Sequence, residues 1–154
     1  MGVAGELRGG TTPARVLDMR HSNAIKKVIE SCFDDERTLV QKSKLVDEAT
    51  ALVLRRLADE RHSFLEELER LSSPIGRGSS GSWGALVREL GNWPWAKVIG
   101  PRAAIAACRR SQLRTDLRYE RALELEWSSE LKAILTLQHE RVHAARRELA
   151  ELRS

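Results

Sequence analysis

Carboxylates and histidines recur at helical spacing in this chain and could together form a metal centre. Glu140 and His143 lie three positions apart, as in the Glu-x-x-His pairs that hold dinuclear iron inside helical bundles. Asp59 and His62 repeat this spacing with a shorter acid, and Glu36 adds a carboxylate from an earlier segment. Carboxylates bridge and neutralise hard cations, and each imidazole adds a nitrogen ligand. These five residues define one hypothesis, a dinuclear iron centre in an oxidase or an iron-handling protein.

The elements that would have to position these ligands are four long helices. Hydrophobic residues make up 42% of the chain and aromatic residues only 5%, and no alternating strand pattern occurs. Apolar residues instead recur every three or four positions in four segments. The segments run from a cap at Ser22 or Asn23 to about Leu45, from a cap at Asp47 to Ser72, from Pro101 to a turn near Trp127, and from about Ser129 to Leu152. The sequence therefore predicts an all-α protein.

The direction of the candidate ligands argues against the iron centre. On the fourth helix, Glu140 and His143 lie about 150° from the middle of the apolar stripe. On the second helix, Asp59 lies nearly opposite the stripe and His62 about 130° away from it. Ligands that face solvent cannot share an ion inside a bundle. We therefore predict no catalytic residue, no metal ligand and no cofactor, with dinuclear iron kept as the alternative.

A different group of polar residues falls within the apolar stripes. Its members are Glu36, Arg61, Gln112, Gln138 and Arg141. A buried charge must be paired or it costs several kcal/mol. We expect Glu36 to accept hydrogen bonds from Arg61 or Arg141, while the two glutamines complete a polar layer. Such a layer would fix the register of the helices, as single buried polar residues do in coiled coils.

The segment between the second and third helices, residues 72–101, is long and rich in Gly, Ser and Trp. A connection of this length lets a chain leave one end of a bundle and re-enter at the other, as in ferritin-like four-helix folds. One face of a short helix is predicted by Trp83, Leu86, Val87 and Leu90. The side chains of Trp83, Trp93 and Trp95 either cover the bundle or form an interaction patch. In the second case the protein would be an adaptor for a partner that the sequence does not identify.

Three stretches carry a family resemblance. Residues 29–36 (IESCFDDE), 107–110 (ACRR) and 119–123 (YERAL) resemble the first and third helices of the PA2169-type ferritin-like proteins, the DUF2383 group. The resemblance spans about residues 23–153, including the Trp-containing crossover. It implies a bacterial ferritin-like four-helix bundle without an established activity. Gln112 occupies the position of the family's usual third-helix carboxylate, which argues against carrying a metal site over.

Length and charge complete the expectations. The chain of 154 residues fits one domain, with a mobile tail over 1–21 and the bundle over 22–154. Its net charge of +4 comes from interleaved acids and bases, which is not the footprint of a nucleic-acid-binding protein. Without an apolar spanning segment or leader we expect a cytoplasmic protein. The leading hypothesis is a non-catalytic, self-associating structural or stress-related binding protein.

The two cysteines are predicted to be packing residues. Cys32 and Cys108 both fall on apolar stripes, early in the first and third helices. In a ferritin-like arrangement these helices are antiparallel, so the two sulfur atoms would lie near opposite ends of the bundle. That separation is beyond the reach of a disulfide.

Overall fold

A computed structural model describes residues 3–72 and 100–152 of the chain, with side chains over 19–71 and 100–152. These residues form four α-helices: α1 (Val3–Ser43), α2 (Glu48–Ser72), α3 (Pro101–Leu123) and α4 (Ser129–Glu151). No strand occurs within the two described ranges. The predicted all-α class and the four long helices are confirmed.

Three helices begin at or next to the residues that the sequence predicts. Asp47 caps α2, because its Oδ1 accepts a hydrogen bond of 3.0 Å from the amide of Thr50. α3 begins at Pro101, whose fixed φ suits a first turn. Ser128 caps α4 by accepting from the amide of Leu131. Local capping chemistry therefore sets where these helices start.

The first helix is longer than predicted. It begins at Val3, well before the expected cap at Ser22 or Asn23. The predicted boundary between the tail and the bundle, after residue 21, therefore falls inside α1. The sequence 9–13 (GGTTP) contains the residue types with the poorest helix propensity and has no apolar periodicity. That composition is why the sequence predicts a tail there. The mobility of the segment stays a prediction.

Contacts between the helices fix their arrangement and directions. α1 packs against α2 and α3, α3 packs against α4, and α2 touches α4 less extensively. In the contacts between neighbouring helices, residue numbers rise along one helix while they fall along the other. The contacts are Ser31–Thr115 and Asp35–Gln112 between α1 and α3, Arg109–Leu149 and Tyr119–Gln138 between α3 and α4, and Arg56–Glu148 and Glu60–Arg141 between α2 and α4. Neighbouring helices are thus antiparallel, and α1 lies diagonally opposite α4.

It follows that α2 and α3 run parallel. α2 ends at one end of the bundle and α3 begins at the other. Residues 73–99 lie outside the described part of the structure, and so do Trp83, Trp93, Trp95 and the predicted short helix. The adaptor hypothesis, which depends on those residues, stays a prediction.

The apolar core consists of two clusters. The first contains Ile25, Val28, Ile29, Cys32, Phe64, Leu65, Leu68, Tyr119, Ala122, Leu131, Leu135 and Val142. The second contains Leu39, Leu54, Leu57, Ala58, Cys108, Ala145 and Leu149. The two cysteines therefore belong to different clusters. Among the described helices none has an apolar stretch sufficient to cross a membrane.

Candidate functional site

A fully buried arginine lies between the two apolar clusters. Nε of Arg61 donates to Oδ2 of Asp35 at 2.9 Å, and Nη2 donates to Oε1 of Gln112 at 2.7 Å. Nη1 donates to Oε1 of Glu60 at 2.8 Å, and the amide of Gln112 donates to the same Asp35 oxygen at 2.6 Å. The network of Asp35, Arg61 and Gln112, called the charged layer below, connects α1, α2 and α3.

The charged layer holds an ion pair away from water. Burial raises the pKa of Asp35, and Arg61 opposes this shift. Burial alone would lower the pKa of Arg61, but Asp35 together with Cys32 and Glu60 outweighs burial, and the pKa is raised. Because a guanidinium stays protonated and a protonated Asp35 would leave it without a fully buried counterion, we assign the charged form to both partners.

One oxygen of the buried carboxylate is less well satisfied. The Ser111 hydroxyl interacts with Asp35 and lowers the pKa of its carboxyl group. No hydrogen bond of normal geometry reaches Oδ1 of Asp35 from the described residues. Both hydrogen bonds at the other oxygen, Oδ2, come from within the charged layer. The negative charge of Asp35 is thus stabilised mainly by Arg61.

A second buried network takes one residue from each helix. The thiol of Cys32 lies 3.2 Å from the hydroxyl of Tyr119, which donates to Oε1 of Gln138 at 2.7 Å. The amide of Gln138 donates to Glu67 at 2.9 Å. Because Tyr119 donates its proton to Gln138, the thiol is the donor to the tyrosine oxygen. These hydrogen bonds tie the register of all four helices together.

Neither cysteine has the character of a nucleophile. Burial raises the pKa of Cys32 to about 12, although the hydrogen bond with Tyr119 opposes the shift. Burial likewise raises the pKa of Cys108 to about 12. A reactive cysteine is one whose thiolate is stabilised and exposed. At neutral pH both thiols are therefore protonated packing groups.

Two members of the predicted polar layer lie elsewhere. Arg61, Gln112 and Gln138 are buried, but Arg141 is 56% exposed and lies 3.6 Å from Glu60 at the bundle surface. Glu36 lies at the edge of the α1–α2 contact, where Oε1 is 3.1 Å from Nδ1 of the exposed His62. The prediction that Glu36 pairs with Arg61 or Arg141 is wrong. The buried counterion of Arg61 is Asp35, the residue immediately before Glu36.

The register of α1 explains this difference. Two helical paths lead from Cys32 to Leu39. A step of four residues followed by one of three passes through Glu36, whereas a step of three followed by one of four passes through Asp35. The apolar residues of α1 are compatible with either path. However, α1 also packs against α3, where Gln112 donates to the Asp35 carboxylate and Thr115 donates to the backbone carbonyl of Ser31. The buried face of α1 is therefore turned towards α3 and includes polar residues that the apolar stripe does not indicate.

The register of α4 excludes Arg141 for a similar reason. The buried residues of this helix follow alternating steps of four and three, namely Leu131, Leu135, Gln138, Val142, Ala145 and Leu149. This is a narrow stripe of the coiled-coil type. Arg141 lies one residue before Val142 and so falls at the edge of the stripe, where its guanidinium reaches solvent.

The five residues of the dinuclear iron hypothesis are not brought together. Glu36 and His62 contact each other in the α1–α2 groove, and Asp59 is exposed nearby on α2. Glu140 and His143 are exposed on α4, the helix diagonally opposite α1. The exposure predicted for Asp59, His62, Glu140 and His143 is found. The position between the helices where such ligands would converge holds Arg61 instead.

A cluster on α3 and α4, called the surface cluster below, consists mainly of residues that were not singled out from the sequence. It consists of Asp116, Glu120 and His139, with His143 one turn further along α4. Two signals point to it: Asp116 and Glu120 are four positions apart, and residues 139–143 read His-Glu-x-x-His. The sequence prediction used only the Glu140 and His143 part of that pattern. It could not show that Asp116 lies against His139.

The geometry defines a class of protein: an all-α four-helix bundle whose neighbouring helices are antiparallel and whose centre contains an ion pair. In comparisons with known proteins, no family model matches this chain and no curated protein matches it. The features that point to a function are therefore the charged layer and the surface residues.

Proposed function

We propose that this protein is a ferritin-like four-helix bundle without a central metal, and that it acts as a non-catalytic structural or stress-related binding protein. In this view the bundle associates with copies of itself in the cytoplasm. The charged layer fixes the relative positions of the helices and performs no reaction.

The observation that carries this proposal is the burial of Arg61 in the charged layer. Dinuclear iron centres of ferritin-like bundles are built from carboxylates and histidines that project into the bundle. A guanidinium has no lone pair to offer a metal ion, and its positive charge repels one. The Asp35 oxygen that accepts from Arg61 also accepts from Gln112, so the inward carboxylate is already engaged.

The directions of the helices support the ferritin-like part of the proposal. α2 and α3 run parallel, with the end of α2 and the start of α3 at opposite ends of the bundle, and this is the arrangement expected of a fold with one long crossover. Membership of the DUF2383 group remains part of the proposal and depends on the resemblance in residues 29–36, 107–110 and 119–123.

Two exposed leucines on α3 support self-association. Leu113 and Leu117 are 42% and 45% exposed and lie one turn apart, so they form an apolar strip on the outside of the bundle. Single exposed apolar residues are ordinary, but neighbouring ones favour contact with another protein surface. A second copy of the chain would cover this strip.

Light scattering coupled to size-exclusion chromatography tests this part of the proposal. We expect a mass that is a multiple of 17.4 kDa, and we expect Leu113→Asp with Leu117→Asp to return the protein to one chain. Leu52→Asp is the matched control, because Leu52 is 59% exposed on α2, away from the strip. A wild-type protein that elutes as a single chain at about 100 µM would contradict self-association.

A further inference from the structure

The surface cluster on α3 and α4 brings metal-ligating atoms together outside the bundle centre. One ligand atom each from Asp116, Glu120 and His139 lies within 4.8 Å of the other two. Nε2 of His139 is 2.7 Å from Oδ1 of Asp116, and Nδ1 of His143 is 3.4 Å from Oδ2. The four residues come from two adjacent turns of each helix. They belong to neither of the two buried networks.

We propose that Asp116, Glu120, His139 and His143 form a site for one divalent transition-metal ion of the zinc class. Two imidazoles with two carboxylates are a ligand set that zinc accepts, with His nitrogen and carboxylate oxygen at about 2.0 to 2.2 Å. Imidazole ligands also select transition metals over magnesium and calcium, which prefer oxygen. The site is distinct from the dinuclear iron hypothesis, which shares only His143 with it.

Neighbouring side chains already orient the central ligand. Arg146 forms an ion pair with Oδ2 of Asp116, which leaves Oδ1 directed at His139. Outer hydrogen bonds of this kind orient the ligands of known metal sites.

The ring of His139 is held in place as well. It stacks on the buried ring of Tyr119, with centroids 6.1 Å apart and an angle of 14° between the planes. Because the tyrosine is fixed by the second buried network, the imidazole is supported by the core. Glu120 is exposed and His139 partly exposed, so an ion can reach the site from solvent. The ligand atoms are thus close together and accessible, and a bound ion would replace the hydrogen bond between His139 and Asp116.

The site can be tested by titrating zinc chloride into the full chain and following the heat of binding. We expect one zinc ion per chain. His139→Ala should weaken binding by at least about tenfold, and Glu120→Gln, which changes an exposed side chain, should weaken it without affecting the fold. Circular dichroism checks that both variants remain helical.

His62→Ala is the matched control for this titration. His62 is also an exposed histidine, with Glu36 at 3.1 Å and Glu66 at 3.3 Å, but it lies on α2. Its replacement should leave zinc binding unchanged. The proposal is overturned if zinc does not bind at about 1 mM, if both His139→Ala and Glu120→Gln bind as tightly as wild type, or if His62→Ala abolishes binding. In that case Asp116, His139 and Arg146 form only a surface ion-pair network.

Discussion

Replacing Asp35 by alanine is expected to lower the free energy of unfolding by about 3 to 5 kcal/mol, the cost of leaving a buried charge without its partner. Arg61 would remain inside the bundle with Gln112, which is neutral, and with Glu60, which lies at the margin of the core. The guanidinium would keep its desolvation penalty and lose its buried counterion. Urea unfolding of the two proteins, followed by circular dichroism, measures the difference.

The neighbouring acid provides a matched control. Glu36→Ala removes the same charge one residue away, but Glu36 contacts only the partly exposed surface at His62. Exposed ion pairs contribute between about 0 and 1 kcal/mol, so we expect a loss below about 1 kcal/mol. If Glu36→Ala destabilises the protein by several kcal/mol and Asp35→Ala does not, then the carboxylate assigned to Arg61 is the wrong one.

Replacing the whole charged layer should have the opposite outcome. The triple variant Asp35→Leu, Arg61→Met and Gln112→Leu removes all three partners together, so no buried polar group of the layer is left unpaired. Exchanges of this kind in other proteins are neutral or stabilise by about 1 to 4 kcal/mol. We therefore expect the triple variant to be at least as stable as the wild type, and several kcal/mol more stable than Asp35→Ala.

The triple variant also tests whether the bundle needs the charged layer to assemble. If apolar packing alone is sufficient, the variant should keep the helix content and the state of association of the wild type. Both properties can be measured on the same sample by circular dichroism and light scattering. A triple variant that loses more stability than Asp35→Ala alone would show that the layer contributes more than the pairing of its charges.

The sequence predicts the helices well where local chemistry decides them. The cap at Asp47, the start at Pro101 and the burial of Arg61, Gln112 and Gln138 all follow from capping rules and apolar spacing. The start of α1 does not, because the residues 9–13 have neither periodicity nor helix propensity. A helix that forms against these local preferences leaves no pattern in the sequence.

The exact partners are harder to predict than the elements. Glu36 and Asp35 fit the spacing of α1 almost equally, and only the packing of α1 against α3 decides between them. The same limit applies to the surface cluster: Asp116 and His139 are 23 residues apart, and nothing on either helix alone shows that they meet. Spacing within one helix predicts which side chains face inward, whereas contacts across two helices require the fold.

The iron content of the protein tests the central claim most directly. The chain is purified without chelator, incubated with ferrous iron under anaerobic conditions, desalted, and analysed by mass spectrometry of the metals. Wild type and His139→Ala are compared in order to distinguish iron bound at the bundle centre from iron bound at the surface cluster. Because Arg61 occupies the bundle centre, iron can bind only at the surface cluster in this account. We therefore predict no more than one iron ion per wild-type chain and almost none in His139→Ala. Two iron ions per chain, retained in His139→Ala, would show a dinuclear site inside the bundle and contradict this account.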